Sequence, residues 1–304
     1  MATSKIAVYG AIGANIAIAA TKFAVAALTG SSAMLSEGIH SAVDTGNGVL
    51  LLVGTRLSER APTPEHPFGH GKELFFWSLI VAVLIFGLGG GLSIFEGLQH
   101  LVDPAPIRDP LWNYVVLGAA ALFEGASFAI ALRVFLREKG SRPFWAALHA
   151  SKDPTTYTVI AEDAAALAGL AVAAIGIFIS HRYDVPEADG AASLVIGAIL
   201  AGVAVLLVRE ARGLLVGEGI RPETAVAIRE LLGRHPLVRR IGPLLSMYIG
   251  PDQVLLTLDI EFDPDASAAD IASAVKSLET EIRARFDKIT RIYIEATPVR
   301  PVIT

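Results

Sequence analysis

The sequence predicts an α-helical membrane protein: six transmembrane helices followed by a small cytoplasmic α+β domain. Three observations carry that expectation. Hydrophobic residues make up 53% of the 304 positions and charged residues only 18%, against roughly 25% charged in a soluble domain. Mean hydropathy is +0.55. The charge deficit is also uneven. Residues 190–208 run nineteen positions without a charge, whereas the stretch after residue 215 is as charged as any soluble domain.

A span needs about 20 mostly apolar residues. Six stretches meet that requirement: 6–28, 33–57, 74–101, 111–136, 155–179 and 190–208. Polar or Pro/Gly-rich breaks separate them at 29–32, 61–71, 103–106, 138–154 and 181–189. No cleavable signal is expected, because the first run is long enough to span and no clear small-residue cleavage site precedes Ser31-Ser32. Positive charge then orients the chain. One side collects Lys5, Arg56, Arg60, Lys72, Arg133, Arg137, Lys139, Arg142, Lys152, Arg209 and Arg212, and the other only Arg108 and Arg182. By the positive-inside rule both termini are cytoplasmic and the protein is a multi-pass protein of the cell (inner) membrane.

The predicted boundary falls at residue 216, with a six-helix membrane domain at 1–216 and a tail at 217–304. In the tail, "RPETAVAIRELLGRH" reads as an amphipathic helix with Pro222 near its start. "LLSMYIG" and "QVLLTLDIEF" are strand-like runs split by Gly250-Pro251-Asp252. "SAADIASAVKSLETEIRARF" is a second helix with Ser267 as its N-cap, and "ITRIYIEATP" closes as a third strand. The order α-β-β-α-β suits a ferredoxin-like layer of two helices on a sheet. A domain of this size is marginal alone, which makes it a dimerisation unit.

The polar residues inside the spans are the functional signal. Glu37, His40 and Asp44 fall at i, i+3 and i+7 of the second span and so share one helix face. Each ionisable group in a bilayer costs at least about 2.5 kcal/mol, so three together face something other than lipid. Glu162 and Asp163 form a second constellation in the fifth span, adjacent and about 100° apart. A buried ion pair or interhelical hydrogen bond is the bland explanation. It weakens on a shortage of partners: the spans hold the acids Glu37, Asp44, Glu96, Glu124, Glu162 and Asp163 against the cations Lys22 and Arg133. Several carboxylates with one imidazole call for a mobile cation, and these N and O donors suit Zn²⁺, Mn²⁺ or Fe²⁺. His40 and Asp44, at i,i+4, can grip one ion, with one of Glu162 and Asp163 completing the shell and the other supporting a neighbour or titrating. Glu37 is expected to act as a gate or proton relay. Glu96, Glu124, Asn15 and Lys22 read as a structural polar network, and His100, His149 and His181 as solvated singletons. Gly87 to Gly91 is no phosphate loop, since no Lys-Ser/Thr follows; mid-span glycines let helices pack.

"GSSAMLSEGIHSAVDTGN", then "HPFGHGKE" one loop later, then "EDAAALAG", resemble the cation diffusion facilitator family, and the likeness extends over nearly the whole chain. The resemblance implies a homodimeric exporter that moves divalent metal out of the cytoplasm in exchange for protons. It implies a tetrahedral transport site from two residues four apart on the second helix and two on the fifth. The first pair is His40 and Asp44. On the fifth helix Asp163 matches the second position, but the first is Val159, which binds no metal, and Glu162 stands beside Asp163 as in a subgroup with "ED" here. The fourth ligand is therefore Glu162 after a local helix adjustment, or water. Loss of one imidazole makes the donor set harder and favours Mn²⁺ or Fe²⁺ against Zn²⁺. The family likeness also marks His66, His70 and Glu65 as a possible second metal site, with Thr63 where relatives carry an acid. It marks Lys72 as the lysine that pairs with an acid at the membrane–tail junction, with Glu218 the nearest candidate. In the tail, His235 is the one histidine, and Glu295, Ala296 and Thr297 stand where some relatives place ligands. Dimerisation through apolar contacts is expected there rather than through metal.

The expected function is proton-coupled efflux of divalent transition-metal cations, Zn²⁺ foremost, with Mn²⁺, Fe²⁺, Co²⁺ and Cd²⁺ as further candidates. The alternatives are an Mn/Fe-selective exporter of the same family and a membrane metal sensor that does not transport. An enzyme is not expected: intramembrane metalloproteases need a pattern such as H-E-x-x-H, which does not occur. No resident cofactor is expected. A net charge of −5 with no Lys/Arg cluster argues against nucleic acid, and the lack of cysteine removes disulfides and thiolate metal sites.

Overall fold

The structure, a computed structural model, describes residues 2–107, 109–140, 143–144 and 154–297, with side chains from Asn15 onward, Glu138 and Thr156 excepted. Arg108, Arg142, His149, Lys152 and the side chain of Lys5, used above for orientation or as singletons, lie outside the described residues. Two compact units emerge: residues 1–56 with 76–212, and residues 57–75 with 213–304. The second unit thus takes in the loop between the second and third apolar runs as well as the tail.

Among the described residues, the first unit has helices as its only regular elements. It contains α1 (Ala2–Thr29), α2 (Ser32–Ser58), α3 (Glu73–Leu84), α4 (Leu92–Val102), α5 (Leu111–Glu138), α6 (Pro154–Tyr183) and α7 (Glu187–Val216). A 30-residue helix such as α6 or α7 is about 45 Å long, more than a hydrocarbon core of about 30 Å. Among the described residues, four helical stretches are long and apolar enough to cross a membrane: Glu73–Val102, Leu111–Arg137, Tyr157–Tyr183 and Glu187–Val216. Of the six expected spans, four therefore meet that test. The first is continuous helix, but its described apolar part, Asn15–Thr29, is shorter. The second is helical over 27 residues and diluted by Glu37, His40, Asp44 and Arg56.

The third span is not uniform α-helix. Between α3 and α4 the glycine-rich run Ile85–Gly91 winds as a π-helix. Its glycines and those of α4 let α7 approach closely: a Cβ on Gly97 would lie 2.7 Å from the Gly190 carbonyl, and one on Gly197 would lie 2.6 Å from Ile94. Small residues at a helix seam are how backbones come together when lipid offers no hydrophobic drive. Elsewhere α5 packs on α6 and touches α1.

The second unit is two helices on a three-stranded sheet. Helix α8 (Pro222–Leu232) starts on Pro222 at its first turn, where a missing N–H costs nothing. Strands β1 (Val238–Gly250) and β2 (Gln253–Phe262) form an antiparallel hairpin. Helix α9 (Ala268–Arg285) opens on a capping box between Ser267 and Asp270 and leads to β3 (Ile289–Thr297). On central β2, Val254, Leu256, Leu258 and Ile260 alternate inward and are buried with Ile228, Leu278 and Ile282 of the helices. Phe75 and Leu214 complete that core, which is why the 57–75 loop belongs to this unit. The expected α-β-β-α-β order is present, but β2 and β3 pair directly and in parallel. In the split β-α-β of a ferredoxin-like fold another strand intervenes. Here the crossover is simple and the sheet order is β1-β2-β3.

Candidate functional site

Helix α2 carries the first constellation, and its position is fixed at its start. Its exposed first N–H groups are met from α7: the Asp189 carboxylate accepts from the Ser32 backbone N–H at 2.5 Å, Ala33 N–H at 3.3 Å and Ser31 Oγ at 2.8 Å. A carboxylate at a helix N-terminus satisfies orphan donors and opposes the helix dipole. His100 of α4 stands 4.0 Å from the same carboxylate, so it is a buried neighbour of Asp189 rather than a solvated singleton. The periodicity of α7 could not reveal Asp189, because a charge in the first turn of a span reads as a loop residue.

One turn along α2, Glu37 is fully buried. Its Oε2 accepts from Lys22 Nζ of α1 at 3.0 Å, and the same ammonium donates to Ser41 Oγ at 2.8 Å. Glu37 Oε1 lies against α6 at Gly169, where a Cβ would come within 2.3 Å of it. Lys22 is thus joined to Glu37 by a desolvated ion pair and to Ser41 by a hydrogen bond.

His40 and Asp44 follow on the same face. His40 Nε2 lies 3.5 Å from Asp44 Oδ2, and neither His40 Nε2 nor Asp44 Oδ1 meets a hydrogen-bond partner among the described residues. Two ligand atoms about 2.05 Å from one ion at the tetrahedral angle stand about 3.3 Å apart. The pair is therefore spaced as two ligands of one cation, and buried polar atoms without partners are costly.

The fifth-span acids point apart. Glu162 Oε1 accepts from Asn47 Nδ2 of α2 at 2.8 Å, while Asp163 Oδ2 accepts from Ser127 Oγ of α5 at 3.0 Å. Glu124, on the face of α5 that carries Ser127, is 8% exposed and within electrostatic reach of Asp44, His40 and Asp163. Asn47 extends the 40–44 stripe by three residues and could have been found by periodicity. Ser127 and Glu124 could not, because nothing in the α5 sequence says which face meets α6. Among the described residues no three His, Asp or Glu groups already converge as a metal cage.

In the second unit, the 61–71 loop stacks His66 on His70 with ring centroids 4.6 Å apart and tilted 37°. Thr63 and His66 exchange backbone hydrogen bonds, and Gly69 takes φ +90° to close the turn. Glu65 is exposed beside them. A Cβ on Gly71 would lie 2.4 Å from the Ile249 carbonyl, so this loop is pressed onto β1. Lys72 Nζ donates to the Leu215 carbonyl at 3.3 Å and lies 3.6 Å from Met247 Sδ. The Glu218 carbonyl accepts from the Tyr248 N–H.

The cation efflux transmembrane domain family matches residues 8–216. The chain belongs to the cation diffusion facilitator family. It is a multi-pass membrane protein. The human protein named "Proton-coupled zinc antiporter SLC30A9, mitochondrial" is 36% identical over 245 residues, covering 80% of this chain and 43% of that protein. "Metal tolerance protein C4" of Arabidopsis thaliana is 33% identical, covering 86% of this chain and 57% of that one. "Magnetosome protein MamM" of Paramagnetospirillum magneticum is 26% identical, covering 93% and 84%. This cation diffusion facilitator chain spans less than half the length of its SLC30A9 relatives in Xenopus laevis and human. A solved chain of a "MamM CTD" variant in its nickel form aligns over 26% of this chain and all of its own at 18% identity, with a TM-score of 0.25 that bears no weight on the fold.

Proposed function

We propose that this chain exports divalent transition-metal cations from the cytoplasm in exchange for protons. The observation that carries the reading is the His40–Asp44 pair, set at ligand spacing and without a hydrogen-bond partner for His40 Nε2 or Asp44 Oδ1 among the described residues. Asp163, held by Ser127 of α5 at 3.0 Å, is the proposed source of a further carboxylate. The names of the relatives, a proton-coupled zinc antiporter among them, support Zn²⁺ as the foremost cargo. The residue types favour a harder ion: the side chains proposed as donors are carboxylates and a single imidazole, a set suited to Mn²⁺ or Fe²⁺.

The proposal includes α1 and α2 as membrane spans, a cytoplasmic-membrane location, and both termini in the cytoplasm. It also includes a homodimer joined through the tail. Leu245 of β1 and Tyr293 of β3 are exposed and flank Thr257 of β2 in one cross-strand row on the face away from the helices, an apolar strip that a second copy would cover. His66, His70 and Glu65 are proposed as an auxiliary loop site, and Lys72 with Glu218 as the junction pair.

The test is uptake of Zn²⁺, Mn²⁺, Fe²⁺, Co²⁺ and Cd²⁺ into proteoliposomes, with and without a pH gradient. Gradient-dependent accumulation is expected; binding without accumulation would leave a sensor and sink the transporter. Metal binding needs neutral imidazole and ionised carboxylates, so apparent affinity should fall steadily as the medium is acidified. A calorimetric binding curve unmoved by pH would remove His40 as a ligand.

A further inference from the structure

The sequence leaves the fourth donor of the cation site to Glu162 or water, and the structure offers another group. Glu162 is engaged: its carboxylate is held by Asn47, so turning it to the cation would give up a buried hydrogen bond. Its neighbour Asp163 points the other way, toward α5. Residues 162 and 163 are about 100° apart around the helix, so one backbone cannot present both to a single ion without distortion.

Glu124 lies on that facing surface of α5. It is one turn before Ser127, at i,i+3, and Ser127 donates to Asp163 at 3.0 Å. The same face of α5 therefore fronts Asp163, and α5 packs on α6. Glu124 is 8% exposed, and no hydrogen-bond donor meets its carboxylate among the described residues. The fixed cation within its electrostatic reach, Lys22, is committed to Glu37 and Ser41. Independent of the acids, His40 is almost wholly buried with Nε2 unpartnered and turned toward Asp44. A largely buried carboxylate lacking both a donor and a free counter-ion takes up a proton or shares a cation, and the ion gripped by His40 and Asp44 is a cation it can share.

We infer that Glu124 of α5 is a cargo-binding carboxylate, supplying the fourth donor beside His40, Asp44 and Asp163 in place of Glu162. Three helices, α2, α5 and α6, then close on the ion, with Asn47 holding Glu162 out of the shell. The inference rests on the proposed metal-transport reading and adds to it a third helix and a donor set of three carboxylates and one imidazole. Such a set binds hard cations well and discriminates weakly against Mn²⁺.

The test is calorimetric titration of Zn²⁺ and Mn²⁺ into the purified full chain in detergent, comparing Glu124→Gln, Glu124→His, Glu162→Gln and Asp44→Ala. Glu124→Gln keeps volume and removes charge; affinity should fall by at least the roughly 10–100-fold that loss of a supporting residue costs, and by more than in Glu162→Gln. Glu124→His should keep binding and raise the Zn²⁺-to-Mn²⁺ affinity ratio, a change that a packing role would not produce. Parental affinity in Glu124→Gln with binding lost in Asp44→Ala would overturn the Glu124 assignment and leave the site standing. Parental affinity in Asp44→Ala would overturn the transport site itself. Should Glu124→Gln elute aggregated, Glu124→Asp decides: weakened binding supports the assignment and parental binding rejects it.

Discussion

Helices α2 and α9 are both amphipathic, and they are built in opposite senses. In α9 the inward face is Ala274, Leu278 and Ile282, four residues apart, while Glu279 and Arg283 pair on the outside. In α2 the inward residues include Ser36, Glu37, His40, Ser41 and Asn47. The first unit as a whole follows α2: Lys22 is completely buried, while Leu122 is 79% and Ile130 63% exposed. Solvent explains the inversion. In water a helix hides its apolar stripe; in lipid the outside costs nothing to leave apolar, and polar groups gather where they can satisfy one another. The tail's polar groups find partners at its surface, as in the Arg239–Asp263 and Arg240–Glu261 pairs. In the first unit several buried polar atoms have no hydrogen-bond partner among the described residues, and His40 Nε2 and Asp44 Oδ1 are two of them on neighbouring turns of one helix face at ligand spacing.

The sharpest way to break the comparison is to remove a counter-ion in each unit. Lys22→Met leaves Glu37 buried and uncompensated, and should cost about 3–5 kcal/mol, read as thermal unfolding in detergent. The double variant Lys22→Met/Glu37→Gln should recover much of it. Arg239→Ala, which pairs outside the core with Asp263, should leave the unfolding curve nearly unmoved. Equal effects at the two positions would mean that the interior of the first unit is wet.

Next in size is Asp44→Ala. Because Asp44 Oδ1 has no protein donor to abandon among the described residues, the variant should fold and melt like the parent while metal flux in proteoliposomes falls to background. Near-parental flux at equal protein density would remove α2 as the site. Within α6, Asp163→Asn should damage flux far more than Glu162→Gln, since Asp163 stands at the proposed ligand position and Glu162 is held by Asn47. The reverse order would require the helix to be turned there.

The smallest effect belongs to the soluble unit. Ser267→Ala removes the α9 cap and should cost about 1 kcal/mol. Hydrogen bonds from Ser267 hold the Asp270 carboxyl below its usual value. The carboxylate's share of the capping box is therefore present at neutral pH and fades in acid, as the pH falls through that lowered value, while the Asp270 N–H bond to Ser267 Oγ remains. A cap effect of unchanged size after complete protonation would show that the carboxylate adds nothing to it.

Run length and periodicity determined most of the architecture without coordinates. Long uncharged stretches are helices because only internal hydrogen bonding is stable in lipid, and the alternation of "QVLLTLDIEF" is a strand because one face is buried. The stripe of Glu37, His40 and Asp44 was equally legible, since residues at i, i+3 and i+7 share a face whatever surrounds them. Tertiary structure alone decided who faces whom. Spacing could not assign Lys22 to Glu37, Asp189 to the α2 N-terminus, or Glu124 to the side of α5 that meets Asp163. Nor could it show that β3 lies directly beside β2, or that Phe75 belongs to the tail's core. Each of these depends on the rotation and approach of separate segments. A helix sets the angles between its own side chains, about 100° per residue, but its orientation about its axis is set by the neighbours it packs against.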